Sequence, residues 1–464
     1  MHAAKKKIFK AMGALSSVQA LGMLCSLVRN KLIAVWIGPV GVGLVTLYNS
    51  VSDLVGVSVR LNFDQSSVRE IAAARDETAR VAHTVHVWSV TMGVVSWLLM
   101  CMAAPLLSRW SFGDRSHWPD FCLLGSVPFF ISVALGYQAV MKGMRQFGRL
   151  ARVNFIVAIG GIAVAVPLIW WLRVDSIIWV IVVYSGFLYL GSYLWRVRLP
   201  SVRMSAGEVW RTGSSFVWLG ASITAGVAMT ALCNYLFVLF MNNSADTGAL
   251  GFYQAGYTII NTYVGVLFAG VWVEYFPRLS ASVHSRRATA VNVSHRISVT
   301  TWMLLPVTGL FMACDELIVR VIYSRDFLPM VPFITFGMAA MVLRSASWCI
   351  QHTVLARGDG KFYLLSEAAS CVLCLVLNIF CYLRWGFLGL GVSYIVWYGA
   401  YLGLVWWIYR SVYGYRLRGR VMTAVMAVTA FAIAAAVARL TFGWQLPLLM
   451  GIATIPIAWR QLKK

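Results

Sequence analysis

The chain has 464 residues, of which 60% are hydrophobic and only 12% charged, with a mean hydropathy of +0.75. Soluble domains carry about 25% charged residues, so the composition excludes a water-soluble protein, and no hydrophilic stretch is long enough for a separate domain with its own core. A net charge of +23 in a soluble protein would point to nucleic acid; in a membrane protein, cytoplasmic loops rich in Lys and Arg give the same sum, and their distribution decides between the two.

Lys5, Lys6 and Lys7 precede an apolar stretch that runs to about Trp36. It is too long for a signal-peptide core and lacks a small-x-small cleavage site, so it reads as an uncleaved first helix. About 20 apolar residues cross a hydrocarbon core, which predicts spans at 12–36, 42–63, 82–107, 119–141, 153–172, 176–195, 213–241, 249–275, 297–319, 329–354, 364–383 and 387–409. A shorter pair follows at 421–438 and 443–459, readable as two spans or as a re-entrant hairpin. Gly38-Pro39 and Asn242-Asn243 mark two of the breaks. The expected fold is an all-α polytopic membrane protein with twelve core helices in two six-helix lobes, 1–200 and 201–412. An extra C-terminal pair in 413–464 brings the total to fourteen.

With the N-terminus inside, 28 of the 39 Lys and Arg fall on the inner side and only seven on the outer, Arg439 among the latter. The bias sets both termini in the cytoplasm and removes nucleic acid as the reason for the charge. The two halves also share a plan. A shift of 209 positions lays Tyr48 on Tyr257, Val55-Gly56-Val57 on Val264-Gly265-Val266 and Arg69 on Arg278, and a slightly larger one lays Lys142-Gly143 on Arg357-Gly358. Such faint internal similarity is the usual mark of transporter repeats. Two six-helix halves of like orientation imply a pseudo-two-fold axis along the membrane normal, with a cavity between lobes.

Four ionisable residues, Arg29, Asp53, Arg60 and Arg344, lie within apolar spans. Each costs roughly 2.5–3.5 kcal/mol at the bilayer centre and so belongs to a cavity or substrate path rather than to lipid. Helix 2 carries Asn49, Ser52, Asp53, Gly56 and Arg60 on one face, and the repeat places Thr258, Asn261, Thr262 and Gly265 on the matching face of helix 8. Helix 1 offers Gln19, Gly22, Ser26 and Arg29, and helix 7 offers Ser222, Gly226, Thr230 and Asn234. Small and hydroxyl residues also serve helix packing; full charges do not, and they favour an aqueous cleft. Asp53 lies near mid-membrane and Arg60 about 10 Å closer to the cytoplasm, within snorkelling range. Arg344 is central in helix 10, with Ser347 and Gln351 below it. Lys31, Glu274 and Glu367 lie near span ends, where interfacial roles suffice.

Cations spread through a cleft call for an anionic ligand, since guanidinium forks match phosphate oxygens. The candidate substrate residues are Arg29, Arg60, Arg344, Asn49, Ser52, Asn261 and Thr262. Asp53 and Glu367 are candidate counter-ions or sites for a coupling proton or Na⁺. There is no phosphate-binding Gly-x-x-x-x-Gly-Lys-Ser/Thr loop. Cys371 and Cys374, inside an apolar run, read as small helix residues, and His83 and His86 as helix-end residues rather than metal ligands. No cofactor is expected. Every outer loop is short, which disfavours an enzyme.

The stretch Val28–Leu44, with Gly38-Pro39, Gly41 and Gly43, resembles the first hairpin of bacterial lipid-linked oligosaccharide flippases. These are the O-antigen and enterobacterial-common-antigen translocases of the multidrug/oligosaccharidyl-lipid/polysaccharide exporter superfamily. Val68-Arg69-Glu70-Ile71-Ala72, Met141-Lys142-Gly143, Leu250-Gly251-Phe252-Tyr253-Gln254, and Leu355-Ala356-Arg357 with Lys361-Phe362-Tyr363 and Glu367 fit in order, over roughly 10–410. The resemblance implies undecaprenyl-diphosphate oligosaccharide as cargo, moved across the inner membrane by alternating access. The glycan polymerase and chain-length proteins become expected partners, alongside membrane lipid. It also implies that Arg29 matches a cavity arginine of related peptidoglycan-lipid flippases, that Arg60 lies near a second, and that Arg344 stands where common-antigen flippases have a lysine. The helix 8 arginine of the peptidoglycan-lipid group has no counterpart here. The rival readings are a drug/cation antiporter of the same superfamily and a membrane glycan polymerase.

Overall fold

The computed structural model describes the chain except residues 1, 61–62, 75–76, 201, 264, 266–274, 276–278, 280–281, 283–284, 418 and 464, and the side chains at 2–17, 19, 215–223, 263, 355 and 419. Among the described residues every regular element is helical. The chain divides into two compact units, Met1–Gly251 and Phe252–Lys464.

In the first unit, α1 (His2–Trp36) ends where Gly38 adopts φ +86° and returns its N–H to the Ile33 carbonyl at 3.1 Å. Pro39 then opens α2 (Pro39–Arg60), a position where its missing N–H costs nothing. The unit continues with α3 (Phe63–Ala73), α4 (Thr78–Phe112), α5 (Trp118–Leu124), α6 (Ser126–Gly143), α7 (Phe147–Leu172) and α8 (Ser176–Leu194). A capping box in which Ser205 and Glu208 exchange hydrogen bonds starts α9 (Ala206–Ser244). α1 packs on α7, and α2 packs on α9. At the end of α9, Asn242 and Asn243 donate to the carbonyls of Ser111 and Trp110 at 2.7 and 2.9 Å. Glycine permits a second close approach there. A Cβ at Gly43 would meet the backbone of Thr247, and one at Gly251 the backbone of Pro39, so α2 lies against the start of α10 (Thr247–Tyr257).

The second unit holds α11 (Arg286–Ile322), α12 (Val331–Ala356), α13 (Gly360–Trp407), α14 (Gly419–Phe442) and α15 (Gln445–Leu462). α12 is the enclosed one: 72% of its apolar window is buried, against 28% for α13. A 48-residue helix such as α13 would be about 72 Å long if straight, more than twice a hydrocarbon core. Gly386, at φ +57°, breaks it into two crossings. Arg173, at φ +49°, does the same between α7 and α8. Nine helical runs among the described residues are long and apolar enough to cross a membrane, and two of these are the broken ones. Of the eighth expected span, 249–275, residues 264 and 266–274 lie outside the described residues, Glu274 among them. The chain is a multi-pass, all-α membrane protein, and its lipid-facing character shows in exposed side chains such as Met102, Trp171 and Phe442.

The C-terminal pair forms two helices of 24 and 18 residues, docked on α11. The contact is close because Gly309 and Gly451 face each other: a Cβ on Gly309 would lie 2.7 Å from the Gly451 Cα. In lipid, where burying apolar surface gains little, such small-residue contacts carry helix association.

Candidate functional site

On α2, Asn49 and Asp53 are exposed and Arg60 is half-buried, one helical face along the second half of the span. Ser52 is one step round from that face and is buried, its hydroxyl without a partner among the described residues. Asp53 sits among many protein atoms yet stays accessible, and among the described residues only the charge of Arg60 bears on it. The Arg60 guanidinium folds back over Gly56, whose missing side chain leaves the room: a Cβ there would sit 3.4 Å from Nη2. Its Nη1 is buried without a hydrogen-bond partner among the described residues, although the charges of Asp64 and Asp53 reach the group. A buried donor left unmade is costly, and a ligand oxygen would satisfy it.

Arg29 is half-buried and stacks on the Tyr184 ring of α8, 4.8 Å from its centroid. The structure thus gives Arg29 an aromatic neighbour rather than Asp53. Of the remaining stripes, Gly22 and Ser26 are half-buried, and Thr230 and Asn234 are exposed while Gly226 is buried. The side chains of Gln19 and Ser222 lie outside the described residues.

In the second unit, Arg344 projects from the enclosed α12 and donates to Asn261 Oδ1 at 2.6 Å and to Met341 Sδ at 3.6 Å, with the Tyr398 ring 5.8 Å away. Asn261 and Thr262 belong to a π-helical turn, Thr258–Tyr263. Wide turns of this kind are frequent at functional sites because they displace side chains from the regular helical track. Thr262 is exposed and Asn261 half-buried. Two turns of α12 further on, Gln351 donates to Ser366 Oγ at 3.0 Å and to Glu367 Oε1 at 3.2 Å, and the Tyr401 hydroxyl donates to the same carboxylate oxygen at 2.7 Å. Neutral donors alone hold Glu367 among the described residues, an arrangement suited to a carboxyl group that gains and loses a proton or cation.

Arg29, Arg60 and Arg344 share one property. Among the described residues none has a carboxylate within ion-pairing distance. Arg439 is the opposite case. In the last turn of α14, it donates to Asp315 Oδ1 from Nε at 3.0 Å and from Nη2 at 2.8 Å. Nη2 also reaches Glu316 Oε1 at 2.8 Å. Asp315 is fully buried and takes a further 2.8 Å bond from Thr335. The signal for this pair was the two adjacent acids in an otherwise apolar span.

Residues 33–332, well over half of the chain, match the polysaccharide biosynthesis protein family. The chain belongs to that family. It is 22% identical over 440 residues to a lipid III flippase of Escherichia coli (strain K12), covering 87% of this chain and 97% of the relative. Among solved structures it is similar to the lipid II flippase MurJ in an inward closed conformation, with a TM-score of 0.66 and 12% identity over 97% of this chain and 99% of the other. It is also similar to an inward-facing multidrug resistance MATE family transporter of the MOP superfamily, with a TM-score of 0.65 and 13% identity over 90% and 99%. These structural likenesses establish the fold. The proteins that this family member resembles are flippases and transporters, not enzymes.

Proposed function

We propose that the chain is a flippase that moves undecaprenyl-diphosphate-linked oligosaccharide repeat units from the cytoplasmic to the periplasmic leaflet of the bacterial inner membrane. It would supply O-antigen, capsule or exopolysaccharide assembly, beside the polymerase and chain-length proteins, with both termini cytoplasmic. The observation that carries the reading is the set of three arginines in membrane-spanning helices, none with a carboxylate within ion-pairing distance among the described residues. A diphosphate supplies the missing counter-charge, and the lipid III flippase relative supports a lipid-linked cargo.

In this reading each unit contributes one cationic patch. In the first, Arg29 and Asn49 would stand toward the α1–α2 turn and Arg60 at the far end of α2, and Arg344 with Asn261 and Thr262 would form the second. Guanidinium groups neutralise part of the headgroup charge and so lower its crossing cost, while the amides and hydroxyls meet sugar hydroxyls and the polyprenyl tail stays in lipid. Alternating access carries the headgroup across, and a proton or cation taken up at Asp53 or Glu367 sets the direction.

A drug/cation antiporter of the same fold is the second reading, and the sign of the charge argues against it. Cationic drugs call for unpaired acids, whereas the uncompensated groups here are mainly basic. The short outer loops argue against a polymerase. Depletion of the protein in cells separates these readings. Completed lipid-linked units should accumulate on the cytoplasmic leaflet. Normal sidedness with altered chain length or linkage, or with lost export of organic cations, would sink the flippase reading.

A further inference from the structure

Two cavities lie away from the arginine patches, one in each unit and each at the helix ends where Lys and Arg concentrate. The first, about 420 Å³, is lined by His83 and His86 of α4, Tyr137 of α6, Tyr193 of α8, and Arg196 and Arg198 of the segment that follows α8. No carboxylate is among its lining residues. His86 stacks on Tyr137 with ring centroids 4.9 Å apart, and its Nδ1 is buried without a hydrogen-bond partner among the described residues. The charges of His83 and Arg196 both bear on it. Arg196 is fixed in place: its guanidinium lies 3.9 Å from the Tyr193 ring centroid, and Arg149 donates to its carbonyl at 2.7 Å. Val197 and Leu199 pack into the neighbouring apolar clusters and bring this segment across the helix ends.

The second cavity, about 480 Å³, is lined by His295, Ser298 and Trp302 of α11, Arg420 of α14 and Gln461 of α15. It too lacks a carboxylate among its lining residues. The 209-position shift that relates the two halves lays His86 on His295. The same shift carries the ends of α4 to 287 and 321, one residue inside Arg286 and Ile322, the ends of α11. The same helix of each repeat therefore places a histidine at the same register beside a basic cavity. The arginines come from unrelated segments, so the basic character has been assembled twice on one histidine framework.

We propose that these cavities are binding sites for the phosphate of an anionic phospholipid headgroup, one per unit. Both volumes lie within the range of ligand pockets, roughly 300–1,000 Å³. Arginine forks and imidazole N–H groups satisfy phosphate oxygens, and the unpaired His86 Nδ1 gains its partner. Basic pockets between membrane helices are a recurring way to hold acidic lipid headgroups, and the tyrosine and apolar walls suit the glycerol and upper acyl chains. A lipid in the first cavity would bind the segment after α8 to α4, α6 and α8. The proposal requires the membrane setting but not the cargo, so lipid binding and flipping fail separately.

The test is native mass spectrometry of the purified full-length chain, with phosphatidylglycerol, phosphatidylcholine or inorganic phosphate added in turn. Two phosphatidylglycerol molecules should be retained preferentially over phosphatidylcholine. H86Q/R196Q should leave one, and addition of H295Q/R420Q should leave none. R196K, which keeps the charge, should restore most of the first, and R198Q at the exposed rim should weaken it several-fold with no effect on thermal unfolding. Equal loss of phosphatidylglycerol and phosphatidylcholine, or unchanged retention in the quadruple variant, overturns the headgroup assignment. Saturable binding of inorganic phosphate that displaces the lipid and depends on the same residues makes free phosphate the ligand and overturns the lipid.

Discussion

Arg439 and Arg344 both lie in membrane-spanning helices of one unit, and the chain treats them in opposite ways. Arg439 reaches two carboxylates, and Asp315, fully buried, is further held by Thr335. Arg344 is given an amide oxygen, a sulfur and an aromatic ring, but no counter-charge among the described residues. Arg29 and Arg60 follow Arg344, with a tyrosine ring in one case and, among the described residues, a partnerless Nη1 in the other. A buried charge that lacks its partner raises the energy of the protein as it stands. A closed network belongs to architecture, here the attachment of the C-terminal pair to α11. An open cation belongs to a ligand that brings the opposite sign.

Breaking the closed pair should have the largest effect. R439L leaves Asp315 buried and uncompensated and should lower stability by about 3–5 kcal/mol, read as a drop in the thermal midpoint of the purified protein. The apolar double variant D315L/R439L should recover most of that loss, because neither charge is then stranded. If R439L unfolds no earlier than the parent chain, the pair does not hold the C-terminal helices.

The open arginines should respond in the other currency. R344Q or R60Q removes a charge-assisted contact to the cargo phosphate, worth about 2–3 kcal/mol, or roughly a 30- to 160-fold loss of transport. Stability should change by no more than about 1 kcal/mol, the size of one lost neutral hydrogen bond. The readouts are the leaflet distribution of lipid-linked units and the thermal midpoint, taken on the same variants. Loss of both in parallel would make these arginines structural and erase the contrast with Arg439.

The sequence made the spans, the charge bias and the polar face of α2 legible, because each depends on periodicity or on counting. It also marked Gly38-Pro39, Gly43 and Leu250-Gly251 as segments shared with flippases. The structure supplies the physical reasons: Gly38 adopts a positive φ of +86°, and Gly43 and Gly251 lie where two backbones meet, so that a Cβ would collide with the facing segment. What stayed hidden depends on contacts distant in sequence. Ser52 satisfies the helical spacing of the stripe, but its burial is set by neighbours on other elements. The Asp315–Arg439 pair spans more than a hundred residues, and Arg439 lies so near a span end that it counts as a loop charge. The π-helical turn at Asn261 breaks the 3.6-residue period on which the stripe argument rests, so its link to Arg344 could not be read from spacing.

That link offers the finest test of the comparison. Asn261 Oδ1 accepts from Arg344 at 2.6 Å, and N261D would put a carboxylate at the same place with almost no change of shape. It would turn the open arginine into a paired one of the Arg439 kind. Stability should hold or rise, by up to about 1 kcal/mol, whereas transport should fall about tenfold because the cargo phosphate then competes with an internal anion. N261A removes the hydrogen bond but leaves the cation free, and should cost only a few-fold in transport. The order matters more than the sizes. If N261D transports better than N261A, Arg344 does not act through its uncompensated charge, and the cationic patch of the second unit loses its role in cargo recognition.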